Sequence, residues 1–324
     1  MATLNTLACA NDVGNTGVGG CFYDPKNMIG AFLVPKGSEV DIASLQASLI
    51  AKTHHVSPSQ RWYPVYGFET TTDSTEEKTV QTMPTGQKHV VREGYNDWKF
   101  QIVDGGLSLS LELRKFNGSN WDFIFIDGGD PSRGQALIGI VGSTSTKIKG
   151  IPSDGGFFWA APFKLNDGSK ITEYSVQYVF KSTYLNTKGL TAFVVTGFDL
   201  PTVVKGLQNV VLTGSAAVTK GTYYVTAKTE ATGNDLGELY STELASASMW
   251  SAKNATTGAV ITISGVTYDA DNGRFVLVLS TADTDYPTSG DINFNLVAPA
   301  TLQAAWVDGY ESTGVLAIAS NGKD

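Results

Sequence analysis

Histidine, cysteine and surplus positive charge are what this chain has least of. Among 324 residues there are 2 Cys and 3 His, too few to suggest thiol chemistry, imidazole catalysis or a Cys/His metal site. No G-x-S-x-G nucleophile elbow, H-E-x-x-H or paired C-x-x-C occurs, so no catalytic residue, cofactor-binding residue or metal ligand is assigned. Lys+Arg number 23 against 31 Asp+Glu, a net charge of −8. A protein that grips duplex DNA needs a cationic footprint, and none is present. Passive coexistence with DNA is compatible, because an acidic surface repels phosphate and lets it slide past. Long apolar runs are absent too: nothing approaches the roughly 20 residues of a membrane span. The opening MATLNTLACAND lacks the basic start and apolar core of a signal peptide. Leu7-Ala8-Cys9 faintly matches a lipoprotein cleavage box, but no hydrophobic segment precedes it. Cys9 and Cys21 read as small buried apolar groups in a reducing compartment, with a bridge between them as the alternative.

What is present is glycine (35 residues), much Thr and Ser, and only 17% charged residues, the profile of a turn-rich β protein. The acidity is uneven. Residues 201–324 carry 6 Lys+Arg against 12 Asp+Glu, while residues 1–200 are nearly balanced. Texture changes at the same place: after Asp199-Leu200-Pro201, aromatic density falls and short Thr/Val/Ala strands take over. Two domains are expected, 1–200 and 201–324, with the last ~20 residues free to return to the first.

In the first domain a strand is expected at Ile29–Val34, followed by a helix capped by Ser38 and running to His54-His55, with Ile42, Leu45 and Leu49 as its apolar stripe. Leu107, Leu109, Leu111 and Leu113 alternate with Ser108, Ser110 and Glu112. That period of two predicts a strand, paired through a turn at Asn117-Gly118 with Trp121–Ile126, the pair having one polar face suited to another protein surface. Further strands are expected at Ala136–Val141, Tyr174–Phe180 and Thr191–Phe198; Pro162 excludes Phe157–Phe163 from a central position. Between Gly67 and Asp97 lies a stretch rich in Thr and charge, read as a long hairpin pairing Thr79–Met83 with Lys88–Arg92 around Pro84-Thr85-Gly86. Such a hairpin lacks the apolar surface to stand alone and must lie on something. In the second domain, strands at Val210–Leu212, Tyr223–Ala227, Ala259–Ile263, Phe275–Leu279 and Ile292–Leu296, with a tight turn at Asn272-Gly273, fit an immunoglobulin-like sandwich.

Four constellations invite chemistry and are better explained otherwise. The cluster Gly14 to Gly20 lacks the helix that a phosphate loop needs directly after it. His54 and His55 are adjacent, so they do not share a helical face as metal ligands. Asp269-Ala-Asp271-Asn-Gly273 has its glycine one place early for a calcium loop and no glutamate at its end. Glu76-Glu77 and Asp283-Thr-Asp285 could serve as paired carboxylates, but both sit in solvated loops.

The layout resembles the tail tube (major tail) proteins of tailed bacteriophages with an appended immunoglobulin-like domain. The comparison rests on the helix at 38–53, the arm at 66–95, the sheets at 98–126 and 171–198, and the appendage after Pro201. No short diagnostic motif backs it. The resemblance implies a mainly β fold: a β-sandwich or barrel-like domain with one packed helix and a long hairpin arm, plus a C-terminal immunoglobulin-like β-sandwich. It implies a structural virion protein, without enzymatic activity or cofactor, that self-associates into stacked hexameric rings and meets other tail proteins. DNA passes through without specific binding, no membrane is involved, and the subunits assemble in the host cytoplasm. The alternatives are a head decoration or baseplate protein, or a cell-surface adhesin or carbohydrate-binding β-sandwich.

Overall fold

The computed structural model describes residue 25 and residues 27–103, 106–129, 134–162, 173–181 and 190–322. Both cysteines and the Gly14–Gly20 cluster fall outside these residues. The fold is mainly β, with 46% strand against 13% helix, and the chain divides into two compact units, 1–205 and 206–324.

The first unit runs β1 (Met28–Pro35), β2 (Glu39–Asp41), α1 (Leu45–Thr53), β3 (Tyr63–Tyr66), β4 (Phe68–Asp73), β5 (Thr79–Thr82), β6 (Lys88–Arg92), β7 (Tyr95–Val103) and α2 (Gly106–Arg114). It continues with β8 (Trp121–Asp127), β9 (Ala136–Val141), β10 (Lys147–Lys149), β11 (Ile151–Pro152), β12 (Phe158–Ala160), β13 (Glu173–Lys181) and β14 (Leu190–Val194). One sheet has the order β2-β10-β9-β8-β1-β3, with β11 on β8 and β14 on β9. A second, antiparallel sheet has the order β12-β13-β7-β4. Between them lies an aromatic core. The Tyr178 ring sits 5.1–6.0 Å from those of Phe68, Phe100, Phe123, Phe125 and Phe158.

The far face of the first sheet is buried as well. Phe32, Val34, Ile124 and Ile126 pack there with Leu45, Leu49, Trp62 and Leu200. A strand covered on both faces reads as a continuous apolar run, which explains FIF at 123–125 and AFLV at 31–34. The expectation that β8 would show one polar face to another protein is therefore wrong: α1 of the same chain covers that face.

Two further expectations are corrected. Residues Gly106–Arg114 form a helix, so β8 pairs with β1, β9 and β11. The alternating leucines also fall at helical spacing. Leu109 and Leu113, four apart, face the core, while Leu111 is exposed. Leucine, glutamate and arginine favour helix and carry no β-branch, and Lys115 Nζ donates to Glu112 one turn away at 2.6 Å. The helix after Ser38 starts later than expected. Glu39–Asp41 is instead a strand paired with Lys147–Lys149, because Glu39 accepts hydrogen bonds there from Lys147 and from Ser143 N (2.7 Å) and Oγ (2.7 Å). Ser44 precedes the helix without a side-chain cap, and Ser38 Oγ accepts from Trp62 Nε1 at 2.8 Å.

The second unit contains β15 (Gln208–Ala216), β16 (Thr222–Thr229), β17 (Trp250–Asn254), β18 (Val260–Ile261), β19 (Ile263–Asp269), β20 (Arg274–Leu279), β21 (Asp291–Leu296), β22 (Tyr310–Ser312) and β23 (Leu316–Ala319). Sheet β19-β20-β16-β15-β22 faces sheet β18-β17-β21-β23. In strand letters this is D-E-B-A against C′-C-F-G, the immunoglobulin-type Greek key. The last strand is split, its first part pairing parallel with β15 and its second antiparallel with β21. Between the sheets Trp250 packs on Phe275 at 5.2 Å. Asn321 Oδ1 accepts from the Tyr286 hydroxyl at 2.8 Å and the Tyr223 hydroxyl at 3.2 Å, closing one end.

Candidate functional site

The most conspicuous feature of the first unit is the continuation of the β4–β7 pair beyond its sheet. Ser74 N and Glu76 N still donate to Asp97 O (2.8 Å) and Tyr95 O (3.0 Å). From there β5 and β6 form a two-stranded ribbon with Val80 opposite Val90, Gln81 opposite His89 and Thr82 opposite Lys88. Gly86, at φ +81°, turns the tip, a conformation a side chain would strain. At roughly 3.3 Å per residue the ribbon projects about 30 Å. Every residue of β5 and β6 is exposed, including Val80 (47%) and Val90 (54%). The pairs Arg92–Glu76 (2.7 Å) and Lys78–Glu93 (3.5 Å) are solvated and add little stability. Gly94 pins the base: a Cβ there would lie 2.1 Å from Glu76 O. The arm thus begins after Asp73 and ends before Tyr95, inside the limits expected from sequence.

Across the outer face of the second sheet, strand register aligns Trp159, Gln177, Lys99 and Thr72 in one row and Ser175, Gln101 and Thr70 in the next. Gln177 Nε2 donates to Asp97 Oδ1 at 2.8 Å, and Lys99 Nζ lies 3.5 Å from Asp97 Oδ2. This face is mostly polar: Lys99 and Asp97 pair on it, and Lys181 stands exposed at its end.

Elsewhere on the unit an open groove of about 620 Å³ runs between the first turns of α1 and the segment after β14. Its lining includes Ile42, Ala47, Ile50, Phe193 and Phe198 and contains no charged residue. Strand β14 pairs on one side with β9; among the described residues its other edge has no strand partner.

Several of the groups that suggested chemistry are held in structural hydrogen bonds. His54 is buried, its Nδ1 3.0 Å from Thr53 Oγ1 and 3.1 Å from Ile50 O. Asp269 accepts from Asn272 Nδ2 (2.8 Å) and Arg274 Nε (3.1 Å), which holds its carboxyl below the usual range; Gly273, at φ +60°, completes that turn. Asp283 accepts from Thr262 N (3.0 Å) and Asp285 N (3.1 Å). Among the described residues no three His, Cys, Asp or Glu side chains are grouped to hold a metal, and no helix is long and apolar enough to cross a membrane.

Sequence reasoning passed over Trp306. It follows the short helix Pro299–Ala304, with its N–H donating to Gln303 O (3.0 Å) and the next N–H, of Val307, to Leu302 O (2.9 Å). This is a Schellman ending, whose left-handed position normally falls to glycine. Trp306 occupies it at φ 67° and is 85% exposed. The signal was Pro299 opening a helix with no glycine to close it.

No family model matches the chain, and neither curated proteins nor solved structures yield a match.

Proposed function

We propose that the chain is a structural virion subunit of the phage tail tube, self-associating into stacked hexameric rings that leave a passage for DNA and contact other tail proteins. The observation that carries this reading is the arm. Ordering its backbone costs about 1–2 kcal/mol per residue, and none of its side chains is buried by its own chain. A second copy supplies the missing surface. The uncharged groove beside the edge of β14 that is unpaired among the described residues is the receiving site: a hairpin can add to that edge while the Val80–Val90 pair enters the groove. Arm and groove are different patches, so the contact is head-to-tail. It propagates into a ring or a filament instead of stopping at a symmetric dimer. The lightly charged outer face of the second sheet suits a channel wall, since two lysines, one of them paired with Asp97, make no cationic footprint for phosphate.

Limited trypsin digestion tests the reading. In the free chain Lys78, Lys88 and Arg92 are cut first, and in the assembled material they are protected. Equal protection in a proven monomer refutes the arm's role. Ala47→Arg, on the exposed side of α1, fills the groove without touching the core; it should leave the melting temperature unchanged and weaken assembly.

A further inference from the structure

We propose that Asn272 is a site of spontaneous covalent modification, the one Asn-Gly pair that the fold leaves open to cyclisation and deamidation. The inference is independent of self-assembly. An asparagine amide is thermolabile. It is most so before glycine, where the missing Cβ lets the next backbone nitrogen reach the side-chain carbonyl. The sequence holds three such pairs, at 117–118, 272–273 and 321–322, and residue type alone makes them equivalent. Their surroundings in the fold do not.

The attack needs an N–H that is not already engaged and a side chain able to turn toward it. Asn117 is held at both ends: its Nδ2 donates to Ala160 O at 3.2 Å and its Oδ1 accepts from Ala160 N at 2.6 Å. The following N–H, of Gly118, donates to Phe158 O at 3.0 Å. Asn321 is held more firmly still. Its Oδ1 accepts from Gly221 N (2.9 Å), Tyr223 and Tyr286, and its Nδ2 donates to Ala217 O (3.0 Å), Thr219 O (2.8 Å) and Thr222 O (3.2 Å). Gly322 N donates to Ser320 Oγ at 3.3 Å. Both of these asparagines are partly buried, whereas Asn272 is exposed. Among the described residues its side chain makes one hydrogen bond, from Nδ2 to Asp269 Oδ2 at 2.8 Å, and Gly273 N donates to no group. The flank of Gly273 is open, a Cβ built there meeting only Asp235 Oδ2 at 3.8 Å.

In the reaction the Gly273 nitrogen gives its proton to solvent and bonds to Asn272 Cγ; the Cγ–Nδ2 bond breaks and Nδ2 leaves as ammonia. Water then opens the five-membered imide at either carbonyl, giving aspartate or isoaspartate. The product has lost the donor that faced Asp269 and sets a new carboxylate beside it, with Arg274 Nε at 3.1 Å as the cation between them. Like charges so placed repel. Isoaspartate also adds one atom to the main chain of the turn that joins β19 to β20, where Asp269 is in register with Arg274.

The test incubates the folded full-length chain in mildly alkaline buffer and follows all three pairs by peptide mass spectrometry, with fragmentation that separates aspartate from isoaspartate. A hydrogen bond that must break before the attack slows it, so amide loss at Asn272 should run roughly tenfold or more ahead of that at Asn117 and Asn321. In denaturant, where the fold protects none of them, the three rates should converge. Asn272→Gln should abolish the reaction at this turn and leave the other two pairs unchanged, because its longer side chain closes a ring far more slowly. An Asn272 amide that outlasts or merely matches those of Asn117 and Asn321 in the folded chain overturns the proposal. So does the same ranking in denaturant, which would assign the difference to local sequence instead of to the fold.

Discussion

At the residue scale, two side chains sit where the fold would be better served by another. Trp306→Gly removes a left-handed non-glycine residue, a conformation that costs roughly 1–2 kcal/mol; the variant should gain about 1 kcal/mol, read as a higher denaturant midpoint. The Tyr178 hydroxyl is fully buried with no hydrogen-bond partner among the described residues, and burial drives its ionisation well above the usual tyrosine range. Leaving such a group unsatisfied costs about 1–3 kcal/mol, so Tyr178→Phe should match or exceed the wild type in stability. A loss above 1 kcal/mol would show that the hydroxyl is satisfied. Glu39 is the opposite case. Hydrogen bonds from Lys147 and Ser143 hold its carboxyl down to about 2 from 4.5. A carboxylate with a lowered folded pKa stabilises above its unfolded value, and that contribution is lost as pH falls through the folded one. Glu39→Gln should therefore be less stable at neutral pH, and the deficit should shrink between pH 4.5 and 2. Asp122, whose carboxyl is raised by burial despite accepting from Gly37 N at 2.8 Å, works with the reverse sign. Comparing Glu39→Gln with the wild type separates the two.

At the element scale, the strands were legible wherever one chemical cue dominated. FIF at 123–125, the alternation from Tyr174 to Phe180, the Asn272-Gly273 turn and the Pro84–Gly86 tip all lie where residue type alone placed them. Pro162 correctly left β12 at a sheet edge. The failures came where two periods fit the same letters. In Leu-Ser-Leu-Ser-Leu-Glu-Leu every second residue is apolar, but so are positions four apart, and the core-facing pair Leu109–Leu113 settles it as helix. After Ser38 the local signal for a helix cap lost to tertiary pairing, because Glu39 meets Lys147 across 108 residues. The arm was legible from its lack of apolar residues, whereas its base was not. Gly94 packs so closely on Glu76 that Gly94→Ala forces the two strands apart. That variant should keep its sheet, judged by an unchanged far-ultraviolet spectrum, while the arm becomes more protease-sensitive and assembly weakens.

At the scale of the whole molecule, the second unit closes on its own core, and β23 returns to β21 within it. A fragment of residues 206–324 should unfold cooperatively alone; a non-cooperative transition would contradict the division. Trp306 was invisible from sequence because its meaning lies in a backbone angle and an exposure, and neither follows from residue type. The arm's role, by contrast, is a statement about many copies. Deleting residues 76–93 and closing the gap with Asn-Gly leaves β4 and β7 paired and removes no buried residue. Negative-stain microscopy of this variant beside the wild type, at equal concentration, tests the account most directly. Rings or tubes from the wild type and monodisperse particles from the deletion are expected. Identical rings or tubes from both, or none from the wild type under any condition, would contradict it.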